Sequence, residues 1–289
     1  MAPTGRFDPS MNQATPNLFI LGPPRSATTS VSKWLAKHPD IAMGRRKEPM
    51  YHAMDLPSPM SITDLDAYRA LWSDIDESAN LVDASPWYLF SKEAAASIAN
   101  MSPRSRFIVH LRDPVDLIGS LHAHHVFAGF EKTRDLEEAV FTVRHPDPDE
   151  FRTSIDYLEV VRVSSQLCRF YDPFDEDRFV FADFSSIDED PADAYHHILS
   201  RLGLPVVDLD EYPHLNRARH NRLPVSQRFL RDKQLIAAKA ARKLITKVNV
   251  VPGRPPVPAR LRSRIIEVIR PDIEELAQIT GRDLSHWLA

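Results

Sequence analysis

Continuous apolar runs, not alternating ones, mark the strongest strands of this chain. Leu18–Leu21 (LFIL) lies between Asn17 and the breaker Gly22-Pro23-Pro24, and reads as a buried strand running into a loop. From Thr28 the period changes, with Val31, Trp34 and Leu35 at helical spacing until His38-Pro39 stops them. The same unit returns as the strand Arg106–Leu111 (RFIVHL), the turn Arg112-Asp113-Pro114 and a helix over Val115–Phe127. A third unit runs from the strand Arg178–Ala182 through a loop at Asp183–Asp190 to a helix over Pro191–Leu202, closed by Gly203. Tyr157–Tyr171 reads as one more helix. The tail reads as two, near Ser226–Thr246 and Pro258–Thr280, joined by the Pro-rich loop Asn249–Val257. Strands alternating with helices predict an α/β fold, a Rossmann-like, P-loop-type parallel sheet flanked by helices. The polar stretch 1–16 is expected to be a flexible leader, with 17–289 forming one domain.

Charge narrows the possible ligands. With 36 basic and 40 acidic residues the net charge is −4, so no overall basic field would hold nucleic acid, and no nucleic-acid partner is expected. An anionic ligand must instead be caught by a local cluster. Cys168 is the only cysteine, which excludes an intramolecular disulfide and a Cys-built zinc site. His122 and His125 stand three apart in the second helix, but two His without a third ligand make no metal site, and no metal is assigned. No window approaches ~18 consecutive apolar residues, so no membrane span is expected and the chain reads as cytoplasmic.

The first strand–loop–helix junction is Gly22-Pro23-Pro24-Arg25-Ser26-Ala27-Thr28-Thr29. Two readings fit it. Unpaired N–H groups and the positive end of the helix dipole make such a junction an anion site, to which Arg25 adds a cation and Ser26, Thr28 and Thr29 add hydroxyls. Alternatively, Ser26 or Thr28 simply caps the helix and Arg25 is solvated. A Walker A loop is not among the readings. Laid on Gly22, that pattern needs Gly at Ala27 and Lys at Thr28.

These residues resemble the 5′-phosphosulfate loop of sulfotransferases that use 3′-phosphoadenosine 5′-phosphosulfate (PAPS), in which a strand leads through [KR]-[SG]-[GA]-T-[TS] into a helix. Lys47-Glu48-Pro49 is similar to the Lys-Glu-Pro of the carbohydrate branch, and Arg112-Asp113-Pro114 with Ser120 to the family's 3′-phosphate motif. Asp83-Ala84-Ser85-Pro86-Trp87-Tyr88 resembles its substrate-side segment, and Tyr157, Phe179–Asp183 and Thr280–Trp287 fit more loosely. Together these motifs cover nearly the whole chain.

The resemblance implies transfer of a sulfuryl group from PAPS to an acceptor hydroxyl by in-line displacement, leaving 3′-phosphoadenosine 5′-phosphate (PAP), with no metal required. Arg25, Ser26, Ala27, Thr28 and Thr29 would hold the 5′-phosphosulfate, and Arg112 and Ser120 the 3′-phosphate. Arg254, in a late Gly-Arg loop, would cover the nucleotide. Arg25 stands where the family usually has Lys; it can neutralise the leaving phosphate but cannot donate a proton. Glu48 is the implied general base, and His52 its runner-up. His52, Ser85 and Tyr88 would line the acceptor side, where Ala84 replaces the usual Lys. The acceptor would be a carbohydrate or a glycosylated small molecule. Two rivals stand beside this expectation: a P-loop-like nucleotide kinase or phosphotransferase, and a PAP-binding protein without enzymatic activity.

Overall fold

Five short strands form one parallel sheet in the computed structural model, which describes residues 15–73, 75, 79–213, 219–221, 250–252 and 256–289. They are β1 (Leu18–Leu21), β2 (Ile41–Met43), β3 (Asn80–Asp83), β4 (Arg106–Leu111) and β5 (Phe179–Asp183), in the order β2-β3-β1-β4-β5. The apolar run β1 lies at the centre, with Leu18 in register with Val82 on one side and Arg106 on the other. A separate antiparallel pair joins β6 (Arg219–Asn221) to β7 (Val250–Pro252).

The described helices are α1 (Thr28–Leu35), α2 (Leu65–Arg69), α3 (Ala94–Met101), α4 (Pro114–Ala128), α5 (Leu136–Phe141), α6 (Tyr157–Val160), α7 (Val163–Tyr171), α8 (Phe184–Glu189), α9 (Pro191–Arg201) and α10 (Ala259–Thr280). Alternate strand residues face opposite sides of the sheet, so each strand feeds two cores. Phe19, Phe107 and Phe179 point one way, stack across β1, β4 and β5 at centroid distances of 5.8 and 4.8 Å, and meet α3, α4, α7 and α10. Ile20, Ile108 and Val180 point the other way, towards Val31 and Trp34 of α1 and Ile198 of α9. Both faces are covered, which is what continuous apolar strands require.

The predicted parallel α/β fold is observed, and several elements differ in detail. Asp183–Asp190 is not a loop: Phe184–Glu189 is helical, with Ile187 buried. Tyr157–Tyr171 is not one helix. It breaks at Arg162, whose ψ of 69° is not helical, in a stretch where β-branched Val160, Val161 and Val163 weaken helix propensity. Strands β2 and β3 and helix α3 went unpredicted. The predicted helix near Ser226–Thr246 lies outside the described residues, as does the stretch 1–14 of the predicted leader.

Candidate functional site

The loop after β1 is built from unusual backbone. Gly22 has φ 127°, and Arg25 and Ala27 take left-handed φ values of 76° and 64°. A Cβ on Gly22 would lie 2.7 Å from the His110 carbonyl oxygen of β4, so the loop's closeness to that strand demands glycine. Positive φ at Arg25 and Ala27 lets neighbouring N–H groups turn to one side, a form suited to an anion. Of the two readings left open by the sequence, simple capping is not observed. Ala27 is the N-cap of α1 and no side chain caps the helix, while the Ser26 hydroxyl is fully buried without a hydrogen-bond partner among the described residues. Thr28 is buried at the first helical turn.

Strand β4 delivers the second cation beside this loop. The Arg112 guanidinium donates to the Arg25 carbonyl at 2.5 Å and lies 3.9 Å from the centroid of the Phe184 ring. Asp113 accepts from the Asp116 N–H at 2.8 Å and so starts α4, with Pro114 at its first position. That helix carries Ser120 back to the loop, where its hydroxyl accepts from Arg25 Nε at 3.4 Å. Arg25 of one sequence motif and the Arg112–Ser120 pair of another thus meet at the C-terminal ends of two adjacent parallel strands, where open α/β sheets bind ligands. Beside them a cavity of about 510 Å³ opens beyond β4 and β5, lined by Arg112, Phe184, Asp183, Arg282 and Trp287 among others. Its acids are partly neutralised from the C-terminal segment, since Arg262 pairs with Asp113 and Arg282 with Asp183.

Glu48 approaches the same loop from β2. It and Met50 flank Pro49 with left-handed φ values of 56° and 59°, a strained stretch for residues with side chains. Lys47 Nζ lies 2.7 Å from Glu48 Oε1 and donates to Thr29 Oγ1 at 2.9 Å. The ammonium therefore couples the carboxylate to the loop after β1, and the pair remains about one-third exposed. This position of Lys47 was not foreseen; the sequence singled it out only as part of a motif.

The residues read as acceptor-side lie beneath that surface. His52 is buried among the rings of Phe19, Tyr51, Tyr68 and Tyr88, with Nδ1 hydrogen-bonded to Ser97 Oγ at 2.8 Å. Burial depresses its pKa to about 3, so the ring is neutral at physiological pH. Ser85 Oγ donates to Asp83 Oδ1 at 2.7 Å, and the hydroxyls of Tyr68 and Tyr88 donate to Oδ2 at 2.8 and 2.9 Å. Desolvation raises the buried Asp83 carboxyl to about 6, against the pull of its three donors and with a further push from the Glu48 charge. Ser85 also accepts from the Met50 N–H at 3.4 Å. The Asp83–Tyr88 segment is therefore a buried floor under the Glu48 loop, with the hydroxyls of Ser85 and Tyr88 committed to Asp83.

Arg254 lies outside the described residues. His122 and His125, both in α4, face Tyr157 of α6, with His122 Nε2 donating to the Thr133 carbonyl at 2.9 Å. No cluster of three metal-ligating side chains occurs among the described residues. There too, no helix is long and apolar enough to cross a membrane.

Cations and hydroxyls gathered at the strand ends of a parallel α/β sheet do not by themselves fix one activity. The chain is similar to the crystal structure of a sulfotransferase from Alicyclobacillus acidocaldarius, at a TM-score of 0.71 and 22% identity, over 96% of this chain and 100% of that one. Its fold is the sulfotransferase fold. In sequence it is 25% identical over 143 residues to the membrane-associated sulfotransferase kil1 of Dictyostelium discoideum, a stretch that is 48% of this chain. That stretch spans 30% of the relative's length. No protein-family model matches the sequence.

Proposed function

We propose that the chain is a PAPS-dependent sulfotransferase, with 17–289 as its catalytic domain. The observation that carries this reading is the single hydrogen-bonded set made by Arg25, Ser120 and Arg112 at the ends of β1 and β4. In this reading the loop Arg25–Thr29 takes the 5′-phosphosulfate, Arg112 and Ser120 take the 3′-phosphate, and Arg254 adds cover. The cavity beyond β4 falls within the size range of ligand pockets and lies beside Arg112.

Catalysis then needs a base, a line of attack and charge stabilisation. The acceptor oxygen attacks sulfur while Glu48 takes its proton. The bond from sulfur to the 5′-phosphate oxygen breaks, its electron pair stays on that oxygen, and PAP is released. Arg25, the loop N–H groups and Lys47 balance the charge gathering on the leaving phosphate. Lys47 supplies a cation with a dissociable proton, which Arg25 cannot. His52, Ser85 and Tyr88 act from below by supporting the Glu48 loop. The acceptor is a hydroxyl on a carbohydrate or a glycosylated small molecule.

The reading is tested by ligand-induced stabilisation and by transfer. PAP without metal, at ~100 times its Kd, should stabilise the chain by about 2.7 kcal/mol. Labelled PAPS offered with sugars, glycosylated small molecules and phenols should label one of them. Stabilisation by ATP–Mg²⁺ with none from PAP would point to a nucleotide phosphotransferase instead. PAP binding without transfer to any acceptor would point to a non-enzymatic PAP-binding protein.

A further inference from the structure

One strand holds two consecutive carbonyls of the anion loop. His110, within β4, and Arg112, just after it, stand two residues apart and so project from the same face. The His110 Nδ1–H donates to the Ser26 carbonyl at 2.7 Å, and Arg112 donates to the Arg25 carbonyl at 2.5 Å. Because a carbonyl oxygen only accepts, the His110 proton must sit on Nδ1. The side chain is fully buried, and its Nε2 has no partner among the described residues. A polar ring at a core position of a buried strand is costly unless bonded, and its one side-chain bond among the described residues goes to this loop.

The direction of that bond matters. In a trans peptide the C=O of one residue and the N–H of the next point opposite ways, and there is no cis peptide among the described residues. Drawing the Arg25 and Ser26 carbonyls down to β4 therefore turns the N–H groups of Ser26 and Ala27 away from the sheet. Neither donates to a backbone carbonyl among the described residues. The left-handed φ values of Arg25 and Ala27 are the strain this arrangement has to hold.

We propose that His110 is a positioning residue. As the Nδ1–H tautomer it bolts the Ser26 carbonyl to β4 and so preorganises the Ser26 and Ala27 N–H groups for a 5′-phosphosulfate. The inference rests on the reading of this loop as the 5′-anion site. Its test measures binding of PAP and of adenosine 3′-phosphate, which lacks the 5′-phosphate, to wild type, His110→Leu, His110→Asn and His110→Gln. The amide N–H of Asn can occupy the place of Nδ1, that of Gln the place of Nε2, and Leu fills the volume with no donor. His110→Leu should weaken PAP about 10-fold or more, the worth of hydrogen bonding to a charged group, and leave adenosine 3′-phosphate within about two-fold. His110→Asn should restore most of the PAP affinity and His110→Gln should not, a contrast that stands even where the Leu variant fails to fold. Unchanged PAP affinity in the Leu variant, equal behaviour of Asn and Gln, or parallel loss of both ligands would overturn the positioning role. Failure of wild type to bind PAP would remove the 5′-site reading, and this inference with it.

Discussion

Glu48 sits in an ion pair with Lys47, and that pairing shapes what its replacement should do. Glu48→Gln keeps size and hydrogen bonding but removes the basic carboxylate, so kcat should fall by about 10²–10⁴. PAP affinity should stay within a few-fold, because Lys47 keeps its bond to Thr29. Steady-state kinetics and PAP titration on one purified variant check both halves; near-wild-type kcat would remove the base assignment. Gly22 offers a harder test of local geometry. Gly22→Ala places a methyl 2.7 Å from the His110 carbonyl oxygen, at a φ of 127° that side chains rarely adopt. Denaturant unfolding should show a loss of roughly 2–4 kcal/mol from strain and overpacking. A loss under ~0.5 kcal/mol would mean that loop and strand can part.

At the scale of elements, α10 and the segment after it act as a latch on the start of α4. Arg262 donates to both carboxylate oxygens of Asp113, at 2.7 and 3.3 Å, and also to the Trp287 carbonyl at 3.1 Å. Both partners are about a quarter exposed or less, so the bidentate pair should be worth about 1 kcal/mol, above a fully exposed one. Arg262→Ala should lower stability by about that amount and loosen the turn that presents Arg112. Arg262→Ala and Asp113→Asn should be strongly non-additive when combined, and additive losses would show that the two do not act as a pair. Elements like these also show what a sequence can and cannot disclose. β1 and β4 are readable because LFIL and the FIV of RFIVHL are apolar stretches ended by a glycine–proline breaker or followed by an Arg-Asp-Pro turn. β2 has three residues and β3 ends on Asp83, so neither carries a period long enough to detect. Phe184 and Ile187 are three apart among acids and serines, one turn of amphipathic signal, and α8 read as a loop. Arg25, Arg112 and Ser120 were found as motif members, while the bonds joining them arise only from strand adjacency. His110 offered one overlooked signal, a polar residue inside a buried run.

For the molecule as a whole, Asp83 ties stability to pH. Its folded pKa, raised by burial to about 6, lies above the ordinary carboxyl value of 3.8. The folded state therefore holds the proton more tightly than the unfolded state. Its contribution is fully present below about pH 4 and is lost as pH rises through about 6. The difference in unfolding free energy between wild type and Asp83→Asn should change across pH 4–7, against wild type as pH rises, whatever constant offset the lost hydrogen bonds impose. A flat difference across that window would show that Asp83 keeps an ordinary pKa. The order β2-β3-β1-β4-β5 has a consequence in time as well as in space. β1 is the first of the described strands to be made, yet its neighbours are β3 at Asn80–Asp83 and β4 at Arg106–Leu111. During synthesis one edge of LFIL waits for β3 to be made, and the other stays unpaired until Leu111 has cleared the ribosome. Because the loop closures come before any reward, the chain should refold slowly beside helical bundles of similar length. A nascent chain cut before β4 would display the most apolar strand of the sheet with one long edge open, the state in which chaperone capture and aggregation compete.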